Sequence, residues 1–136
     1  MFSVATCLLF DRDGKLLIYL RDNNPQISFP NHWDLFGGLL EEGETPEQAL
    51  VREVKEELGI TLSEFYFWKE YESQAEEKPN KKYVFYARTN SRTDELKLLD
   101  VGQQLKGIYL HELSDYQFAN ILGKIVEDFK KAAIDF

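Results

Sequence analysis

The 136-residue chain contains one cysteine, Cys7, so no intrachain disulfide can form and the fold must be held by its core. A lone thiol inside the apolar run Val4 to Phe10 suits a reducing compartment, and a cytoplasmic location is expected. No stretch approaches the roughly 20 apolar residues that a bilayer-spanning helix needs, so no membrane partner is expected. The opening apolar run lacks a basic flank and is broken by Asp11-Arg12-Asp13-Gly14, which reads as a strand ending in a turn rather than a signal peptide. Positive charge is also scarce. Sixteen Lys and Arg stand against 24 Asp and Glu, a net charge of −8, which argues against a broad polyanion-binding surface. Nucleic acid is therefore not expected as a partner, whereas a small nucleotide accompanied by a divalent cation is compatible. The two histidines, His32 and His111, have no metal-like spacing, no elbow-type serine is present, and no Gly-x-x-x-x-Gly-Lys phosphate loop exists. Repeats and low-complexity segments are absent. The length and the 43% hydrophobic content suit a single domain over residues 1–136.

What is present is concentrated between Gly37 and Ile60, GGLLEEGETPEQALVREVKEELGI. Thr45 is placed as an N-cap, Pro46 falls at the first helical position, and Gln48 completes a Thr-x-x-Gln capping box. Gly59 follows Leu58 where a left-handed residue ends a helix, so about four turns are predicted between them. Within that helix Glu53, Glu56 and Glu57 stand at i, i+3 and i+4 and share one face. Each like-charged pair costs roughly 0.2–0.5 kcal/mol, and the last-turn dipole disfavours Glu56 and Glu57 further. Arg52, four residues before Glu56, offsets part of this. Leu50, Val54 and Leu58 form an apolar stripe that docks the helix and fixes its acidic face. Alone, such a face would be a solvated charge run. The preceding loop alters that reading, because Gly37-Gly38 lets the backbone approach a ligand and Gly43-Glu44 turns the chain into the helix N-terminus.

From Gly38 the order is five residues to Glu44, seven to Arg52-Glu53, an apolar Val54, any residue, Glu56-Glu57, any residue, Gly59 and an apolar Ile60. This pattern resembles the Nudix box of the Nudix hydrolases, with every defined position filled. Phe36 stands where many members place a proline, outside the defining positions. The resemblance implies an α/β/α sandwich with a mixed β-sheet between helices, and hydrolysis of a nucleoside diphosphate linked to another group with Mg²⁺ or, as a substitute, Mn²⁺. It also implies that Glu53, Glu56 and Glu57 ligate the metal, that the Gly38 carbonyl is a further ligand, that Arg52 orients the cluster, and that Glu44 orders the loop. Members often carry one more glutamate just before a Gly-Gln pair. Here Val101 precedes Gly102-Gln103, so Asp100, Glu95 or the box itself supplies that role, and the general base stays open between Asp100 and Glu53. A MutT-like nucleoside triphosphate pyrophosphohydrolase is the first expectation. An ADP-ribose or nucleotide-sugar pyrophosphatase is the second, and a nucleotide-binding sensor without turnover comes from another class.

Elsewhere the chain is predicted to open with a hairpin, Phe2 to Phe10 and Lys15 to Arg21. A loop from Asn23 to Asn31 then leads to a short strand at Trp33 to Phe36. After the box, Leu62 to Tyr71 and Lys82 to Arg88 read as strands around a charged tip, Gln74 to Lys81; Lys78, Lys81 and Lys82 are candidate contacts to a substrate phosphate, with a solvated tip the favoured reading. Leu96 to Leu99 and Lys106 to Leu110 read as short strands. Helical spacing of Ile121, Leu122, Ile125, Val126 and Phe129 places a helix within Leu113 to Phe136. Phe29, Trp33 and Tyr83 are aromatic candidates for stacking a nucleobase, each with a competing core role. Arg21 is a candidate phosphate contact or sheet-edge cap. Ala119-Asn120 is similar to the place where MutT-type members read an oxidised purine.

Overall fold

The computed structural model describes residues 2–73 and 79–136, so the expected tip residue Lys78 lies outside the described residues. In chain order the elements are β1 (Phe2–Phe10), β2 (Leu16–Leu20), β3 (Trp33–Asp34), β4 (Phe36–Leu39), α1 (Pro46–Leu58), β5 (Tyr66–Ser73), β6 (Asn80–Arg88), β7 (Gln104–Ile108) and α2 (Leu122–Ala132). Short 3₁₀ segments occupy Thr93–Glu95 and Leu110–Asp115. Strand β1 is the axis of the sheet. It pairs in parallel with β6 along its whole length, antiparallel with β4 from Val4 to Cys7, and antiparallel with β2 at Phe10 and Leu16. The remaining pairings, β2 with β3 and β7 and β5 with β6, are antiparallel, which makes a mixed sheet of seven strands among the described residues.

Period-two alternation along β1 sends Ala5, Cys7 and Leu9 to one face and Leu8 and Phe10 to the other, each set fully or almost fully buried. The first set packs with Ala49, Leu50, Val54 and Leu58 of α1, and the second with Leu122, Ile125, Val126 and Phe129 of α2. One helix covers each face, giving the α/β/α sandwich. Both ends of α1 carry their expected devices. Thr45 N–H donates to Gln48 Oε1 at 2.9 Å, Gln48 N–H donates to Thr45 Oγ1 at 3.1 Å, and Gly59 closes the helix in the left-handed region at φ 71°. Thr45→Ala is expected to cost about 1 kcal/mol in urea unfolding without altering the denaturant slope.

Some sequence expectations shift. Leu96 to Leu99 is no strand: Leu96 and Leu98 pack against the α1-side core from an irregular segment, so their alternation reflects packing rather than ladder pairing. The last strand runs Gln104–Ile108, two residues earlier than Lys106 to Leu110, and β5 begins at Tyr66, with Leu62 and Phe65 inserted into the core from an irregular lead-in. Strand β6 starts at Asn80. Lys81 and Lys82 are therefore strand residues, and Lys82 is 6% exposed rather than solvated at a tip.

Asp11 ties the turn after β1 to the 3₁₀ segment at Thr93. Its carboxylate accepts hydrogen bonds from the amides of Asp13, Lys15 and Thr93 and, at 2.6 Å, from Thr93 Oγ1. Burial pushes this carboxyl up, yet the bonds from Thr93, Lys15 and Asp13 together outweigh it and hold the pKa below the ordinary value. Since the folded pKa is the lower one, the stabilisation is complete above the unfolded pKa of about 4 and is lost as pH falls through the folded value. Thermal melts of Asp11→Asn against the parent should therefore differ at pH 7 and converge in acid.

Candidate active site

Strand β4 lays Gly37 opposite Thr6 and Gly38 opposite Ala5 of β1, and α1 packs directly over this pair. Close approach requires glycine at Gly37, where the obstacle is backbone, and favours it at Gly38, where the obstacle is the Glu53 side chain. At Gly37, φ is 134° and a Cβ would run into the Ala5 carbonyl; at Gly38 a Cβ would occupy the space of the Glu53 carboxylate. With no side chains between them, strand and helix close until the Gly37 N–H donates to Glu57 Oε1 at 2.9 Å. Glu57, one helical turn from Val54 and Glu53, consequently sits at the edge of the apolar stripe and is 6% exposed, whereas Glu56 faces solvent.

Arg52 gathers the rest. Its guanidinium donates to both oxygens of Glu44 at 2.7 and 2.9 Å, to Glu53 Oε1 at 2.8 Å and to the Leu39 carbonyl at 3.0 Å, and reaches Glu56 at 3.4 Å. A planar five-donor fork is suited to bracing the loop and the helix simultaneously. The hydrogen bonds from Arg52 and from the Glu41 amide hold the Glu44 carboxyl down at about 2. Burial pushes Glu57 up to about 8 against the opposing Gly37 hydrogen bond, with added repulsion from Glu53, Asp34 and Glu56. Glu53 is also raised, by burial first, despite Arg52. Two carboxyls held above their ordinary range beside an all-oxygen donor set suit a hard divalent cation, which would relieve both burial and repulsion. Among the described residues no three His, Cys, Asp or Glu side chains converge closely enough to grip an ion by themselves, since Arg52 and the Gly37 amide already hold Glu53 and Glu57.

Beyond the glycine pair opens a cavity of about 370 Å³. Its floor is one face of the sheet, Phe2, Val4 and Thr6 of β1 beside Asn80 and Lys82 of β6, and Ala119, Asn120 and Leu122 form one wall. Phe29, held at φ 51° in the left-handed region, lines it from the opposite loop.

The family model described as NUDIX domain matches residues 2–129. The chain belongs to the Nudix family. An ADP-ribose pyrophosphatase of Methanocaldococcus jannaschii is 45% identical over 58 residues, 43% of this chain and 32% of the relative. A nucleoside triphosphatase NudI of Salmonella agona is 44% identical over 64 residues, 46% of this chain and 45% of the relative. The chain thus matches less than half the length of either. The crystal structure of a MutT protein from Methanosarcina mazei Go1 superposes with a TM-score of 0.83 over 98% of this chain and 96% of that one, at 20% identity, which establishes a common fold.

Around the Nudix box, the structure assembles Gly38, Glu44, Arg52, Glu53, Glu56 and Glu57 into one connected cluster. Asp100 stands on an exposed turn beside Leu99, whose amide donates to the Glu57 carbonyl, and makes no hydrogen bond or ion pair with the described residues. Glu95 is turned away, accepting from the Arg92 amide at 2.7 Å. Of the substrate-binding candidates, Phe29, Arg21 and Asn120 line the cavity, and Trp33 and Tyr83 do not. Trp33 packs edge-on against Tyr116, while Tyr83 lies against Phe67 on the α1 side. Arg21 donates to Asp34 Oδ2 at 2.8 Å and to the Ser28 carbonyl, so it fastens the Phe29 loop. Asp34, which also accepts from the Tyr19 hydroxyl, and the floor residues Thr6 and Asn80 escaped the sequence reading, and Lys82, expected at the solvated tip, lies on the floor instead. The alternation Phe2, Val4, Thr6 was the available signal for that floor, but it reads equally as core.

Proposed function

We propose that this Nudix chain hydrolyses a phosphoanhydride bond in a nucleoside diphosphate derivative, most directly a nucleoside triphosphate plus water to the monophosphate and pyrophosphate. The observation that carries this reading is the continuity between the carboxylate cluster and the 370 Å³ cavity through Gly37 and Gly38, both of which line that cavity. A cavity of this size accepts a nucleoside, and the adjoining cluster lies where its polyphosphate would emerge. Glu53, Glu56 and Glu57, with the Gly38 carbonyl, would hold Mg²⁺ or Mn²⁺. Such a cation supplies charge neutralisation on the phosphoryl oxygens and activation of water. The chain's own groups do the rest. Arg52 locks Glu44 and Glu53 so that the loop and helix keep one geometry, and Glu53, raised in pKa and beside Gly38, accepts the proton of the attacking water. Asp100, solvent-exposed one residue from the Leu99–Glu57 contact, serves as an auxiliary carboxylate. The partner is a small nucleotide, and no described helix is long and apolar enough to cross a membrane.

A second reading, ADP-ribose or nucleotide-sugar hydrolysis, is favoured by the match to the ADP-ribose pyrophosphatase. The match to NudI supports the triphosphate reading over a similar span. Intact box carboxylates weigh against a sensor without turnover. Assaying dNTPs, 8-oxo-dGTP, ADP-ribose, UDP-sugars and dinucleoside polyphosphates with Mg²⁺ decides among them. Release of pyrophosphate from a triphosphate is the expected result. Turnover of ADP-ribose alone would replace it with the second reading, and ¹⁸O-water would identify the phosphorus attacked.

A further inference from the structure

Resting on the reading of the cavity as a nucleoside site, we propose that Gln103 is a positioning residue: by bridging both stems of the loop that carries Phe29, it sets how tightly the cavity holds a nucleotide. The wall formed by Ser28 and Phe29 belongs to a loop, residues 22–32, with no helix or strand of its own. No ladder fixes its shape. Phe29 nevertheless stands at φ 51°, in the left-handed region where a bulky residue is rarely stable, and it precedes Pro30, a neighbour that favours extended backbone. Such a conformation persists only where the surroundings over-determine it. From within the loop and its first stem, Arg21 Nε donates to the Ser28 carbonyl at 3.0 Å and the His32 ring stands edge-on to Phe29 at 5.5 Å. A further tie comes from outside.

Gln103 lies just before β7, and its side-chain Nε2 donates to the Arg21 carbonyl at 2.6 Å and to Asn31 Oδ1 at 2.8 Å. A carboxamide nitrogen carries two N–H donors, and both are used here. Because a backbone carbonyl can only accept, the Arg21 contact fixes which end of the amide faces the loop. Arg21 opens the loop and Asn31 stands two residues beyond Phe29, so one planar group ties the outgoing stem to the returning one. Asn31 is itself left-handed, at φ 57°, a conformation that asparagine tolerates. Gly102 makes room for this joint, since a Cβ there would meet the Tyr19 ring and the Leu20 carbonyl. The turn carrying Asp100 has separate anchors, the Leu99 amide on the Glu57 carbonyl and the Gln103 backbone amide on the Leu20 carbonyl, which a change of the Gln103 side chain does not touch. A wall that meets the nucleoside rather than the reacting phosphorus contributes equally to the ground and transition states, so its loosening appears in KM.

Steady-state assays with dGTP and with ADP-ribose, each with Mg²⁺, test the assignment. Gln103→Met keeps the length of the side chain but removes both donors, and it should raise KM about fivefold or more while kcat stays within about twofold. Gln103→Lys, whose ammonium still donates to two oxygens, should keep KM within about twofold of the parent. Since Gln103 is exposed, both changes spare the core, and far-ultraviolet circular dichroism checks that each variant is folded. If Gln103→Met does not fold, Asn31→Gly decides: it removes one acceptor, suits the positive φ, and should raise KM in the same direction. Phe29→Ala in the same assay separates this inference from the reading beneath it. A KM raised by Phe29→Ala but not by Gln103→Met leaves the cavity as the nucleoside site and overturns the role of Gln103. An equal rise in Gln103→Met and Gln103→Lys, or a fall in kcat at constant KM, overturns it as well. If neither Phe29→Ala nor Gln103→Met moves KM, the cavity reading fails and this inference with it, as both do if the parent turns over neither nucleotide.

Discussion

Glu56→Gln is expected to lower kcat by about 10³-fold while leaving the melting temperature within a few degrees of the parent, because a lost metal-ligand charge is worth several kcal/mol in the transition state. The structure separates these two effects at this residue. The Glu56 side chain is 54% exposed and its contact with Arg52 is long, at 3.4 Å, so little folding energy depends on it. The substitution also removes one repulsive partner from Glu53 and Glu57 and one anion from the last turn of α1, both of which favour folding slightly. Glu57→Gln would test the same chemistry less cleanly, since that side chain is buried and bonded to the Gly37 amide. Two measurements check the prediction: steady-state turnover of the best triphosphate, and Mn²⁺ affinity by electron paramagnetic resonance, which should weaken in parallel. Equal turnover by a folded Glu56→Gln protein would contradict the role assigned to this carboxylate.

Local rules made α1 legible. Its capping box, its terminal glycine and its apolar stripe depend on residues within one turn of each other, and all three stand where spacing put them. Strand β1 was equally readable because a largely apolar run from Phe2 to Phe10 ends at an Asp-x-Asp-Gly turn. Features set by distant packing were not. The burial of Lys82 depends on β6 beginning at Asn80 alongside Phe2, a parallel pairing across nearly 80 residues that no local pattern announces. Likewise Leu96 and Leu98 alternate like a strand but are loop residues drawn into the α1-side core. The box identified the carboxylates, whereas the opening beside them is made from β1, residues between Tyr19 and Leu39, β6 and the residues at the start of α2. These four stretches meet there only in the folded chain.

Gly37→Ala is expected to destabilise the fold by about 3 kcal/mol or more, because a side chain there is refused twice. The backbone stands at φ 134°, outside the regions open to L-residues, and the added methyl would enter the Ala5 carbonyl of the central strand. Neither obstacle can be relieved by rotating a side chain; β4 must move from β1, which loosens four paired positions and withdraws the amide that holds Glu57. For a chain of this size the melting temperature should fall by roughly 10 °C. Gly43→Ala provides the matching control. Gly43 also has positive φ, 81°, but no atom lies within 4 Å of the position its Cβ would take, so only the backbone penalty of about 1 kcal/mol remains. Urea unfolding of both variants measures the difference. A gap of about 2 kcal/mol assigns the effect to strand and helix closing over a bare backbone, whereas equal losses would mean that conformation alone demands glycine at this end of the box. Activity divides in the same way: Gly43→Ala retains turnover, and Gly37→Ala loses it even at temperatures where the chain is still folded, because Glu57 no longer has the amide that fixes it beside the cavity.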